Sequence, residues 1–161
     1  MTDFRRLIEA LVDGGVAFII VGGAAAAAHG AARLTLDLDV VYARDLENLS
    51  RLAAALAPLS PYLRGAPPGL PFKLDAVTLK GGLNFTLTTA AGEVDLLGEI
   101  TAGGRYADLL PHADKLVVFD RACLCLGLDR LIYVKRAVGR PKDLEAVAEL
   151  EALREERRHR G

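Results

Sequence analysis

The passage that most constrains this chain is VAFIIVGGAAAAAHG, Val16 to Gly30. Val16 to Val21 is a continuous apolar run, rich in β-branched residues and of strand length, which suits a strand covered on both faces. Ala24 to Ala28 repeats the best helix former and is closed by His29-Gly30, so a short helix follows the glycine pair at once. A strand-Gly-Gly-helix junction gathers free backbone N–H groups at the positive end of a helix, where a phosphate can be held. Taken alone, Gly22-Gly23 more simply fits a tight turn that needs small residues. It matches neither G-x-G-x-x-G nor G-x-x-x-x-G-K-[ST], which disfavours dinucleotide-binding and P-loop readings.

Around this junction the pattern alternates helix and strand. Phe4, Leu7, Ile8, Leu11 and Val12 recur at helical spacing, with Thr2 as the expected cap and Gly14-Gly15 as the stop. Leu36 to Tyr42 reads as a strand, and Asp45 caps a helix striped by Leu46, Leu49, Leu52 and Leu56. Pro58 to Pro71 holds five of the seven prolines and reads as a loop. Leu83 to Thr89 and Glu93 to Leu97 read as strands joined by Ala90-Ala91-Gly92, Tyr106 to Leu110 as a short helix, and Lys115 to Leu126 as two more strands. Leu128 to Val138 is a helix ended by Gly139, and Pro141 opens another. The expectation is an α/β (α+β) fold, a mixed sheet flanked by helices. It forms a single domain over residues 1–161, with a core of about 1–127 and a helical C-terminal part of about 128–161.

A chain of 161 residues with 52% hydrophobic and 25% charged residues can bury a full core without staples. A net charge of -1 argues against nucleic-acid binding through bulk electrostatics. The arginines at 154, 157, 158 and 160 form either a local basic patch or, more simply, a solvated helix end. Cys123 and Cys125, two apart on a strand, share one face and read as reduced core residues. With no secretory leader and no apolar run long enough to span a bilayer, a soluble cytoplasmic protein without membrane partners is expected.

The chemistry resides in the carboxylates. Asp37 and Asp39 lie two apart on a strand and therefore point the same way, with Cα atoms roughly 7 Å apart. Like charges held so close in a Leu- and Val-rich strand are best tolerated around a divalent cation, and hard oxygen ligands suit Mg²⁺. A polar face of an edge strand would produce the same pair. Asp95, on another apolar strand, supplies a third carboxylate that could converge with them; Glu93 shares its face and is the alternative third ligand.

Gly22-Gly23, His29-Gly30, Arg33, Thr35, Asp37-Leu38-Asp39 and the later Asp95 together resemble the signature of the DNA polymerase beta-type nucleotidyltransferase superfamily. Within it, Gly22 to Val41 and KRAVGRPKDL, Lys135 to Leu144, are similar to small bacterial nucleotidyltransferases related to abortive-infection toxins. The resemblance implies that Asp37 and Asp39 bind two Mg²⁺ ions, with Mn²⁺ as a substitute. It implies that Asp95 completes the second site and helps take the acceptor proton, and that Gly22-Gly23 cradles the β and γ phosphates. The implied reaction moves a nucleoside monophosphate from a nucleoside triphosphate to a hydroxyl of RNA or protein, in a toxin-antitoxin setting with a partner or antitoxin protein. Much of the superfamily has Gly-Ser at the turn, whereas this chain has Gly23 and lacks that hydroxyl.

Cations are also needed, and Arg33, Lys135, Arg140 and Lys142 are the candidates, with Thr35 beside the phosphates; Lys135 and Lys142 are favoured because the resemblance covers them. Arg140 fits an ordinary helix-helix turn equally well. His29 reads first as a capping or packing residue. The rival to an enzyme is a nucleotide-binding or protein-interaction module of the same fold without turnover.

Overall fold

The computed structural model describes residues 2–32 and 35–160. The chain runs α1 (Phe4–Asp13), β1 (Phe18–Val21), α2 (Gly22–Ala28), β2 (Asp37–Tyr42), α3 (Leu46–Leu56), β3 (Tyr62–Leu63), α4 (Ala76–Gly81), β4 (Asn84–Thr89) and β5 (Gly92–Leu97). Then follow β6 (Glu99–Ile100), β7 (Gly104–Arg105), α5 (Tyr106–Leu109), β8 (Ala113–Val118), β9 (Arg121–Leu126), α6 (Leu128–Val138) and α7 (Pro141–Arg160). Among the described residues, seven strands form a mixed sheet in the order β3-β4-β5-β2-β1-β9-β8, and β6 and β7 make a separate ribbon. This is the expected fold class, with helices at the C-terminal end.

The strand that opened the sequence argument lies well inside the sheet. β1 pairs antiparallel with β2 and parallel with β9, and each of its four residues is buried. A strand covered on both faces needs no polar alternation, which is why its sequence has none. The helices meet it through their apolar stripes. Leu7, Ile8 and Leu11 of α1 are fully buried, and each such side chain contributes roughly 1.5–3 kcal/mol relative to exposure.

Several local expectations are corrected. The cap of α1 is Asp3, whose carboxylate accepts from Arg6 N at 3.1 Å. Thr2 instead ties down the strands, donating to the Leu36 carbonyl at 2.5 Å and accepting from Glu93 N at 3.1 Å. α2 starts at Gly22 rather than after the glycine pair. The proline-rich stretch is not wholly a loop: β3 pairs with β4, because Tyr62 and Leu63 fall between prolines and keep their amides. α4 and the β6–β7 ribbon were not anticipated; both are short, and their apolar residues are too few to show a period. Elsewhere the reading agrees with the structure. Asp45 caps α3 and Gly139 closes α6 in the left-handed region at φ 71°, while Cys123 and Cys125 are free and buried.

Candidate active site

The site is built by strand register. β2 runs parallel to β5 with Asp37 opposite Glu93 and Asp39 opposite Asp95, so side-chain alternation brings four carboxylates to one face of the sheet. The third carboxylate anticipated from sequence, Asp95, thus lies beside Asp39, and its alternative Glu93 lies beside Asp37. Burial, a hydrogen bond shared with Asp95, and repulsion from Asp95 and Asp37 push the Asp39 carboxyl up to about 7, against the pull of Arg64. Its Oδ1 is buried and has no hydrogen-bond partner among the described residues.

The glycine turn closes directly over this group. Gly22 has φ 63°, and a Cβ there would lie 2.5 Å from Asp39 Oδ2, so only glycine satisfies both the backbone and the contact. Gly23 is crowded from another side: its Cβ would stand 2.9 Å from Thr35 Oγ1. The Thr35 hydroxyl, which donates to the Asp37 carbonyl at 3.1 Å, therefore occupies the space that a serine at 23 would need. Gly23→Ser should destabilise the protein, and Thr35→Ala should relieve that cost, with a coupling of about 1 kcal/mol in a denaturant double-mutant cycle. Strict additivity would show that the two positions do not compete.

The cations come from the other side of the cleft. Lys135 near the end of α6 and Arg140 before α7 converge on Asp143, a residue absent from the sequence candidates. Asp143 accepts from Lys135 Nζ at 3.3 Å and from Arg140 Nε at 2.6 Å, and its side chain is 1% exposed. Hydrogen bonds from Arg140 lead the effects that hold its carboxyl down to about 2. Asp143 sits within the KRAVGRPKDL stretch already singled out; an acidic residue at i+3 from Arg140 on a helix start was the signal available. Two recesses meet here. One, roughly 330 Å³, runs from Gly22, Gly23 and Thr35 to Lys135, Arg140 and Lys142. The other, roughly 290 Å³, is walled by Leu97, Ile100, Leu131, Val134 and Val138. Asp39, Gly22 and Lys135 line both.

Gly22, Gly23, Thr35, Asp37, Asp39, Asp95, Lys135 and Lys142 border one region, while Arg33 lies outside the described residues. His29 is a packing residue, buried at the end of α2 with Nε2 2.9 Å from the Leu126 carbonyl, and burial lowers its imidazole pKa.

Sequence reasoning missed Arg64. It follows β3 and reaches across β4 and β5, with NH1 3.6 Å from Asp37 Oδ2, NH2 2.8 Å from Asp95 Oδ1, and Nε against Glu93. No signal in the proline-rich segment marks it.

A larger recess, roughly 450 Å³, lies at the other end of α6 between His112, Arg130, Arg154, Arg157 and Arg158. Its arginines are largely engaged: Arg154 with Asp129, Arg130 with His112, and Arg157 with the His29 carbonyl. It contains neither the glycine turn nor the carboxylate face, so size does not decide the site.

No family model matches the chain, and no curated protein matches it. Solved structures do. The lincosamide antibiotic adenylyltransferase LnuA, bound to lincomycin, superposes with a TM-score of 0.62 over 94% of this chain and 96% of that one, at 11% identity. The chain has the nucleotidyltransferase fold. ANT(2")-Ia in complex with adenylyl-2"-tobramycin shares that fold too, with a TM-score of 0.56 at 17% identity over 98% of this chain and 95% of the other. In this fold Asp39 of β2, paired in register with Asp95 of β5, lines the recesses at the start of α2.

Proposed function

We propose that the protein is a nucleotidyltransferase that moves a nucleoside monophosphate from a nucleoside triphosphate to an acceptor hydroxyl, releasing pyrophosphate. The observation that carries this is the register of β2 against β5 beside the glycine turn: Asp39 next to Asp95, with Gly22 against Asp39.

The residues fit a divalent cation by donor chemistry. They offer hard carboxylate oxygens, one of them the buried Asp39 Oδ1, which has no hydrogen-bond partner among the described residues, and a cation in the form of the Arg64 guanidinium already stands among them. Among the described residues, no three His, Cys, Asp or Glu side chains stand as a ready-made cage. Asp37, Asp39 and Asp95 would hold Mg²⁺. When bound, the ion supplies charge neutralisation for the triphosphate and lowers the pKa of the attacking hydroxyl.

The chain's own groups do the rest. Backbone N–H groups at the start of α2 would face the phosphates with Thr35 beside them, and Lys135 and Lys142 would offset their charge. Asp143 orients Lys135. Asp95 accepts the acceptor proton, and the apolar wall of the smaller recess holds water away from the reacting atoms.

The resemblance of Gly22 to Val41 and Lys135 to Leu144 to abortive-infection-type enzymes supports RNA or protein as acceptor, with an antitoxin-like partner. A small hydroxylated molecule is the second reading, favoured by the roughly 290 Å³ apolar recess beside Asp39. The test is label transfer and pyrophosphate release with each nucleoside triphosphate, Mg²⁺ and each acceptor class. Asp37→Ala/Asp39→Ala should abolish both signals. Release that persists unchanged in the double variant would sink the reading, and triphosphate binding without release in wild type would favour the module without turnover.

A further inference from the structure

Arg64 combines features that none of the roles above uses. Its guanidinium spans Asp37, Glu93 and Asp95, three of the four carboxylates on the face, and no ion pair to Asp39 is seen among the described residues. Its NH2 also donates to the Leu87 carbonyl at 2.8 Å, and its backbone N donates to Thr86 O at 3.0 Å. The backbone is thus anchored to β4, while the guanidinium head is shared between the Leu87 carbonyl and the acidic face. The side chain remains 27% exposed, so solvent ions reach the cluster that it occupies.

A guanidinium carries one positive charge spread over a plane, whereas a divalent cation carries two at a point. Both seek the same carboxylate oxygens. Asp37 and Asp95 cannot give their inward lone pairs to both at once, and two cations a few ångströms apart repel strongly in a partly buried cleft.

We infer that Arg64 is a resident counter-ion that holds Asp37 and Asp95 in the free protein and is displaced when a divalent cation binds. This rests on the proposed use of those carboxylates as metal ligands. Arg64 keeps a cluster of four acids from splaying apart before substrate arrives, and it weakens cation binding to the free protein. A triphosphate reverses the balance, because its oxygens accept the released guanidinium in the forked geometry that suits arginine.

The test uses the intact, nucleotide-free protein with Mn²⁺ as probe and counts free Mn²⁺ by its electron paramagnetic resonance signal. Arg64→Gln should bind Mn²⁺ about tenfold or more tightly than wild type, since a tenfold change corresponds to about 1.4 kcal/mol. Arg64→Lys, which keeps the charge but not the fork, should fall between the two. Equal or weaker binding by folded Arg64→Gln overturns the inference while leaving the metal reading intact; absence of binding by both proteins overturns both.

A measurement on wild type covers the case in which the variants do not fold. The Arg64 Nε–H resonance should move from its ion-paired position as Mg²⁺ saturates the site. A resonance that stays fixed through saturation overturns the inference.

Discussion

Asp39→Asn should act in opposite directions on activity and on stability. Transfer should fall by about a thousandfold or more, the scale on which a charged group essential to phosphoryl chemistry acts. The metal-free protein should become more stable near pH 8. Asp39 is held at about 7 in the folded chain against an ordinary 3.8, so the folded state binds its proton more tightly than the unfolded state does. The stability that this proton confers is complete below about pH 4 and is lost as pH rises through about 7.

Above that range the buried Asp39 charge opposes folding by at most about 4 kcal/mol, the linkage equivalent of the shift. An asparagine removes the charge and still donates to Asp95. Thermal melts in EDTA should show the variant and wild type together near pH 4 and separated by about 5–10 °C near pH 8. A gap of constant size across that range would mean that Asp39 is not the group being titrated. Saturating Mg²⁺ should close the gap by stabilising wild type alone.

This pairing of effects shows why the site was only half legible in the sequence. Period-two alternation makes Asp37 and Asp39 neighbours on one face whatever the strand pairs with, and the apolar run before Gly22 identifies a covered strand. Asp95 is different. Its place beside Asp39 depends on β5 pairing parallel with β2, a contact between segments far apart in the chain, and nothing local to either segment specifies that register. Arg64 was less legible still. The prolines around it signal irregular backbone correctly, but Tyr62 and Leu63 add an edge strand between them, and that two-residue pairing aims Arg64 at the acids. Thr2 shows the same limit at the N-terminus: its sequence fits a cap, while its hydroxyl bridges Leu36 and Glu93 because β2 and β5 lie beneath it.

Asp143→Ala should be the most disruptive single change on the cationic side of the cleft. Asp143 accepts from Lys135 Nζ, from Arg140 Nε and NH2, and from the Arg140 backbone N. Its side chain is 1% exposed, whereas those of Lys135 and Arg140 are 30% and 57% exposed. Removing the carboxylate frees two positive charges that can still reach water, so the stability cost should be about 2–3 kcal/mol rather than the 3–5 of a deeply buried pair. The pH signature has the opposite sense to that of Asp39. With its carboxyl held down to about 2 from 3.8, Asp143 contributes stability above about pH 4, and that contribution is lost as pH falls toward 2. The difference between wild type and Asp143→Ala should therefore shrink on acidification below about pH 4. Lys135, released from its partner, swings away from Gly22 and Asp39, so triphosphate affinity should fall about tenfold or more by the loss of one oriented charge. Lys135→Met should lower affinity similarly at a smaller cost in stability, because Arg140 still pairs with Asp143. The Asp143→Ala/Lys135→Met double variant should bind triphosphate no worse than Lys135→Met alone, because the carboxylate acts on phosphate through the lysine that it holds. Additive losses in that calorimetric cycle would give Asp143 a role in binding independent of Lys135.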